Sequence, residues 1–140
     1  MEKKDLLKDV IKHIDIKSYN STELVDAMRN MSFTSRDTAR AADILMMMCK
    51  EKECTNILTL AGSTSAAGCM QVYVDMVRNK MIDVVVATGA SIIDMDLFEA
   101  LGYKHYIGEK ENVIPDTTLR DLYIDRIYDT YIDEEELQAC

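Results

Sequence analysis

The stretch "IDVVVATGA", residues 82–90, centres on three consecutive valines. Successive side chains of a strand point to opposite faces, so three valines in a row make both faces apolar. That is the habit of a central parallel strand covered by helices on each side. A second run, "TNILTLAG" at 55–62, is also short, rich in β-formers, and ends in small residues. Between them, "AAGCMQVYVDMVRNKM" at 66–81 repeats apolar residues at helical spacing through Met70, Val74, Val77 and Met81. Strand, helix, strand is the unit of an open parallel sheet.

The alternation continues downstream. "DMDLFEALGY", 94–103, reads as a short helix stopped by Gly102. "KHYIGE", 104–109, reads as a third strand, and "DTTLRDLYIDRIYDTYI" as a helix after Pro115 that ends in a short extended piece. "DEEELQAC" starts another helix. Upstream, Leu6, Leu7, Val10, Ile11 and Ile14 predict a helix over 5–15. "STELVDAMRNM" predicts one capped by Ser21 or Thr22, and "FTSRDTARAADILMMMCKEKE" a long one from Thr34 or Ser35 through Lys50. Ala39, Ala41 and Ala42 on that helix suggest close packing. The expectation is an α/β fold, with a parallel sheet covered by helices on both faces over 55–140 and a helical segment over 1–54 before it.

Bulk properties bound the function. The 140 residues suit one domain of ordinary size, and five glycines with one proline leave no linker-like tract. The net charge of -9 repels nucleic-acid phosphate and favours a cationic ligand such as a polyamine. No apolar stretch reaches membrane-spanning length, and the charged "MEKKDLLKDVIKHIDIK" lacks a signal core, so a cytoplasmic protein is expected. Cys49, Cys54, Cys69 and Cys140 do not form a zinc-type set and read as buried or half-buried reduced thiols. "ILMMMCK" at 44–50 reads as core or subunit-contact surface.

In open parallel sheets, ligands bind beyond the carboxyl ends of the strands. "GSTSAAG" offers Gly62, Ser63, Thr64 and Ser65 just before a helix, with small residues and three hydroxyls around unhindered backbone N–H groups. It matches neither the GxGxxG nor the Walker pattern. It can cradle phosphate, or simply let the helix pack close to the sheet. The next strand end carries Thr88, Gly89, Ala90 and Ser91, followed by Asp94 and Asp96. Two carboxylates there can hold an ammonium group, a ribose diol or a metal; as residues at a helix start they are also favoured by the helix dipole. His13 reads as a surface residue, and His105 has no cysteine partner in a nucleophile motif.

Five segments, taken in order, resemble one family. "FTSRDTARAADIL", "LAGSTSAAG", "MIDVVVATGASIIDMDLFEALG", "HYIGE" and "LRDLYIDRIYDTYIDEEEL" are similar to deoxyhypusine synthase and its bacterial and archaeal deoxyhypusine synthase-like relatives. The resemblance spans nearly the whole chain. It implies a Rossmann-like, NAD-dependent fold that builds a homotetramer with active sites shared between subunits. Members oxidise spermidine with NAD, cleave it, and pass the aminobutyl group through a lysine imine to an acceptor amine. That acceptor is a lysine on the hypusine-bearing translation factor, or a small polyamine in homospermidine synthase. The family's NAD-contacting turns fall on Gly62, Ser63, Thr64, Ser65 and Ala66, and on Thr88, Gly89, Ala90 and Ser91. Its acidic pair falls on Asp94 and Asp96, although this chain reads Asp-Met-Asp where eukaryotic members have two adjacent acids.

Family members are more than twice as long, and their imine-forming lysine lies in the C-terminal half. The resemblance therefore implies an N-terminal half, either a fragment or one member of a split pair with a second chain, that needs the C-terminal half carrying the lysine. The alternative is a non-catalytic truncated paralogue that assembles with and regulates a full-length enzyme. A homo- or hetero-oligomer is expected in either case, with no nucleic-acid or membrane partner.

Overall fold

The β-formers of 105–107 and 124–133 build an antiparallel sheet. The computed structural model describes residues 1–108 and 113–140. It divides into two units, one of Met1–Ile14, Leu60–Gln71 and Ala87–Cys140, the other of Asp15–Thr59 and Val72–Val86. The fold is α/β, with helices first and two small sheets.

In the first unit, β3 (His105–Ile107), β4 (Ile124–Ile127) and β5 (Thr130–Asp133) form a sheet in the order β3-β5-β4. Both pairings are antiparallel, with Tyr106 opposite Tyr131 and Ile127 opposite Thr130. Helices α7 (Asp116–Asp121) and α8 (Glu134–Ala139) pack on this hairpin. The core is Leu6, Leu119, Ile124 and Tyr131, with Leu7, Tyr106, Ile114 and Leu122 against it. The third strand of the sequence reading is thus present, but it joins an antiparallel sheet instead of extending the parallel one. Glu109, the last residue of "KHYIGE", lies outside the described residues.

The helix expected after Pro115, with a short extended piece at its end, stops early at Asp121 and gives way to two strands. Leu119, Tyr123, Ile127 and Tyr131 fall every four residues, which suits a helical stripe as well as alternating strands. The chain resolves the ambiguity at Tyr123, whose φ of +56° ends α7, and at Tyr128, whose φ of +54° turns the hairpin. The helix expected over 5–15 is also cut short. Helix α1 is Lys3–Leu6, and Val10 makes an antiparallel bridge to Tyr106. The Ile11 N–H donates to the His105 carbonyl at 2.8 Å, and the Ile107 N–H to the Asp9 carbonyl at 2.7 Å. The open edge of β3 captures these backbone groups, which a helix would otherwise have used internally.

In the second unit, α2 (Thr22–Met28) packs on α3 (Phe33–Lys50), and Arg29 is paired with Asp26 and Asp43. Helix α3 begins after Ser32 and not at Thr34 or Ser35. Of its three alanines, Ala39 is fully buried while Ala41 and Ala42 are exposed. Asp75 is buried and receives the Lys17 ammonium at 2.8 Å. Strands β1 (Ile57–Leu60) and β2 (Val84–Ala87) form a two-stranded parallel sheet. Buried Asn56 locks their entry: its N–H donates to the Asp83 carboxylate at 2.8 Å, and its side-chain amide to the Met81 carbonyl at 3.0 Å. Among the described residues no helix is long and apolar enough to cross a membrane. Cys54 and Cys69 are half-buried free thiols; Cys49 and Cys140 are exposed.

Candidate functional site

The first small-residue turn follows β1. Gly62 takes φ +75°, and a Cβ built there meets only open space. Ser63 is half-buried and Thr64 exposed, while Ser65 and Ala66 are buried at the head of a π-helical turn, Ser65–Cys69. That turn runs into α4 (Met70–Arg78). The Ser65 hydroxyl is buried without a hydrogen-bond partner among the described residues. Gly68 has a packing reason for its identity. Its φ is +95°, a Cβ would stand 3.0 Å from the Lys12 carbonyl oxygen, and its own carbonyl accepts from the Ile14 N–H at 2.9 Å.

The second turn follows β2. Thr88 is extended at φ −76°, ψ 159° and caps the helical turn Gly89–Ser91, named α5, whose Gly89 also faces open space. Thr88, Gly89 and Ala90 are exposed, and Ser91 is buried. The Ser91 hydroxyl donates to the Gly62 carbonyl at 2.9 Å, and Thr88 Oγ1 lies 3.4 Å from Ser91 Oγ. The two turns singled out by the sequence are therefore tied to one another.

Asp94 and Asp96 lie one turn on, in the π-helical segment Ile92–Leu97 that leads to α6 (Phe98–Ala100). Both are half-buried. Helical residues two apart point to different sides, and buried Met95 stands between them. Asp96 Oδ1 is buried without a hydrogen-bond partner among the described residues, so it can accept from an incoming donor.

Two features were missed from the sequence. A cleft of about 240 Å³ opens beside the first turn, lined by Ser63, Thr64, Ala66 and Ala67 on one side and Ile127–Thr130 on the other. It brings Tyr128 and Asp129 of the hairpin tip to the predicted turn; nothing short of the hairpin itself could have signalled this. The second is Glu99, which joins both histidines. His105 Nδ1 lies 2.5 Å from Glu99 Oε1, and His13 Nε2 contacts Glu99 Oε2. His105 is fully buried, with Phe98 edge-on at 5.3 Å between ring centroids. Burial pushes the Glu99 carboxyl up, but the hydrogen bonds and charges of His105 and His13 outweigh it and hold the group below its ordinary value. His13 is thus not the surface residue its helical pattern suggested, because its segment is extended along β3.

Comparison with known proteins bears on this arrangement. The family model described as deoxyhypusine synthase matches residues 23–140. A deoxyhypusine synthase-like protein of Caulobacter vibrioides is 64% identical over 99% of this chain and 37% of its own length. One from Coxiella burnetii is 57% identical over 99% of this chain and 39% of its own. A probable deoxyhypusine synthase 2 of Methanosarcina acetivorans is 38% identical over 91% of this chain and 36% of its own. The chain spans less than two-fifths of the length of these relatives. With a family model covering most of its residues and both small-residue turns inside the matched region, the chain belongs to the deoxyhypusine synthase family.

Proposed function

We propose that this chain is the cofactor-holding, N-terminal part of an NAD-dependent aminobutyl transferase acting on spermidine or a related polyamine, completed by a C-terminal half that carries the imine-forming lysine. The observation that supports this best is the Ser91–Gly62 hydrogen bond, which makes two separate turns one cradle. The residues fit a dinucleotide. Gly62 and Gly89 leave open space for close approach. The first N–H groups of the helical run after Thr88 have no intrahelical acceptor, and the buried Ser65 hydroxyl lacks a partner.

NAD, when bound, supplies the two-electron acceptor for oxidising a polyamine carbon. In this reading Gly62, Ser63, Thr64, Ser65 and Ala66, with Thr88, Gly89, Ala90 and Ser91, hold its pyrophosphate and ribose. Asp94 or Asp96 holds a substrate ammonium, with Asp96 favoured by its orphaned oxygen. The acidic chain draws the polycation in. The part over 55–140 is Rossmann-like, the assembly is an oligomer of the family's tetrameric kind, and the setting is the cytoplasm, where free thiols stay reduced. The acceptor is a translation-factor lysine or a small polyamine.

A second reading, a truncated paralogue that binds and regulates a full-length enzyme, is favoured by the divergence of Asp94 and Asp96 about Met95. Titration of NAD into the chain, alone and with a lysine-bearing partner, separates the two. Cofactor binding with spermidine-dependent NADH formation in the mixture supports the enzyme. Association without cofactor binding supports the regulator.

A further inference from the structure

We propose that Glu99 is a positioning residue of the cofactor cradle, which through His13 ties the second turn to the first independently of the Ser91–Gly62 hydrogen bond. The inference rests on the reading above of the two turns as one cofactor site. One half of the tie is helical. Ser91 runs through Ile92–Leu97 into α6, which carries Glu99, so the second turn and Glu99 belong to one continuous helical stretch. The other half is the extended segment 9–14. Its Ile11 N–H donates to the His105 carbonyl at 2.8 Å, and its Ile14 N–H to the Gly68 carbonyl at 2.9 Å. The Lys12 carbonyl oxygen stands 3.0 Å from where a Gly68 Cβ would lie. His13 falls between these anchor points in the chain, and its Nε2 contacts Glu99 Oε2. A ring of contacts closes: Gly62 to Ser91, Ser91 along the helical stretch to Glu99, Glu99 to His13, and Ile14 back to Gly68. Every member belongs to the same unit.

The chemistry makes the tie stiff. The Glu99 side chain is 7% exposed, and a carboxylate so placed is costly unless its oxygens are satisfied. Each oxygen has its own histidine, Oε1 facing His105 Nδ1 and Oε2 facing His13 Nε2. A carboxylate only accepts, so both facing nitrogens carry a proton and the two rings take opposite tautomers. Buried His105 fixes one oxygen from β3, which leaves Glu99 a single orientation toward His13. Releasing His13 would orphan the other oxygen, the costly outcome for a buried charge. A site built on two turns keeps its geometry only if such supports hold it.

The test combines amide hydrogen exchange and ring-nitrogen NMR on this chain, with NAD as the probe. The wild-type spectrum should show the proton of His105 on Nδ1 and that of His13 on Nε2. His13→Leu, which removes one donor to Glu99, should speed exchange across 64–69 and 89–92 by about tenfold. It should also weaken NAD binding by about fivefold. His13→Gln, whose amide can still donate to Glu99, should restore both. Coupling is reciprocal, so NAD should slow exchange of the wild-type Ile14 amide by about the same fivefold, a reading that needs no variant to fold. Faster exchange confined to 9–14, NAD binding at wild-type strength in His13→Leu, or an Ile14 amide indifferent to bound NAD would overturn the proposal. A wild-type chain that binds no NAD rejects the function proposed above, and exchange in the two turns then decides the second tie by itself.

Discussion

The hydroxyl of Ser91, on the turn after β2, donates to the carbonyl of Gly62, on the turn after β1, at 2.9 Å. Ser91 is 1% exposed, so replacing it removes a buried hydroxyl and the hydrogen bond it donates to Gly62. Ser91→Ala should destabilise the chain by about 1–2 kcal/mol. In the completed enzyme it should also weaken NAD binding by roughly tenfold, the equivalent of about 1.4 kcal/mol. Chemical denaturation and a cofactor titration read the two effects separately.

Gly68 carries the second prediction. Its φ of +95° disfavours any Cβ, and the Lys12 carbonyl oxygen stands 3.0 Å from where one would lie. Gly68→Ala should cost about 2–3 kcal/mol and loosen the Ile14–Gly68 hydrogen bond. A shift of the urea midpoint measures the first, and faster exchange of the Ile14 amide the second. An unchanged midpoint would show that the N-terminal segment yields easily.

Much of this was legible in the residues. The valine run and the small-residue turns announce β1, β2 and the helices after them, because consecutive apolar residues and abrupt loss of side-chain bulk have few other uses. The hairpin β4–β5 was not legible, since its apolar residues fit periods of four and of two alike and the deciding positions, Tyr123 and Tyr128, adopt positive φ without glycine. The residues at 9–11 were misread for a different reason. Their local pattern is helical, and only the distant edge of β3 offers the bonds that straighten them. At the site, both turns were found, whereas the bond between them, the hairpin wall of the cleft and the Glu99 link all depend on tertiary neighbours.

Glu99 carries a prediction for the acid limb of stability. His105 and His13 hold its carboxyl below the ordinary value of 4.5 against the upward push of burial. A depressed carboxylate contributes stability that is complete above the unfolded value and is lost as pH falls through the folded one. The wild-type chain should therefore weaken below about pH 4.5, and Glu99→Gln should flatten that limb while removing about 2 kcal/mol at neutral pH. Thermal melts of both proteins across pH 3–7 test this; parallel curves would assign the acid limb to other groups.

Glu136 has the opposite sign. Burial, with the Asp133 carboxylate adding to it and Lys3 opposing, raises its carboxyl above the ordinary value. Such a group favours the fold at low pH, and that contribution is lost as pH rises through the folded value. Glu136→Gln should raise the melting temperature at pH 7 by a few degrees, on the order of 0.5 kcal/mol, and lose that advantage at pH 4. The Asp133 cap of α8, which accepts from the Glu135 and Glu136 N–H groups, is left intact.

The most direct test of the proposed function is NADH formation on adding spermidine and NAD to this chain, to a lysine-bearing partner, and to the two together. Spermidine-dependent NADH in the mixture alone, abolished by Gly62→Asp with Gly89→Asp, is the expected result. NADH formation by the partner without this chain, or a mixture indifferent to both glycine substitutions, would contradict it.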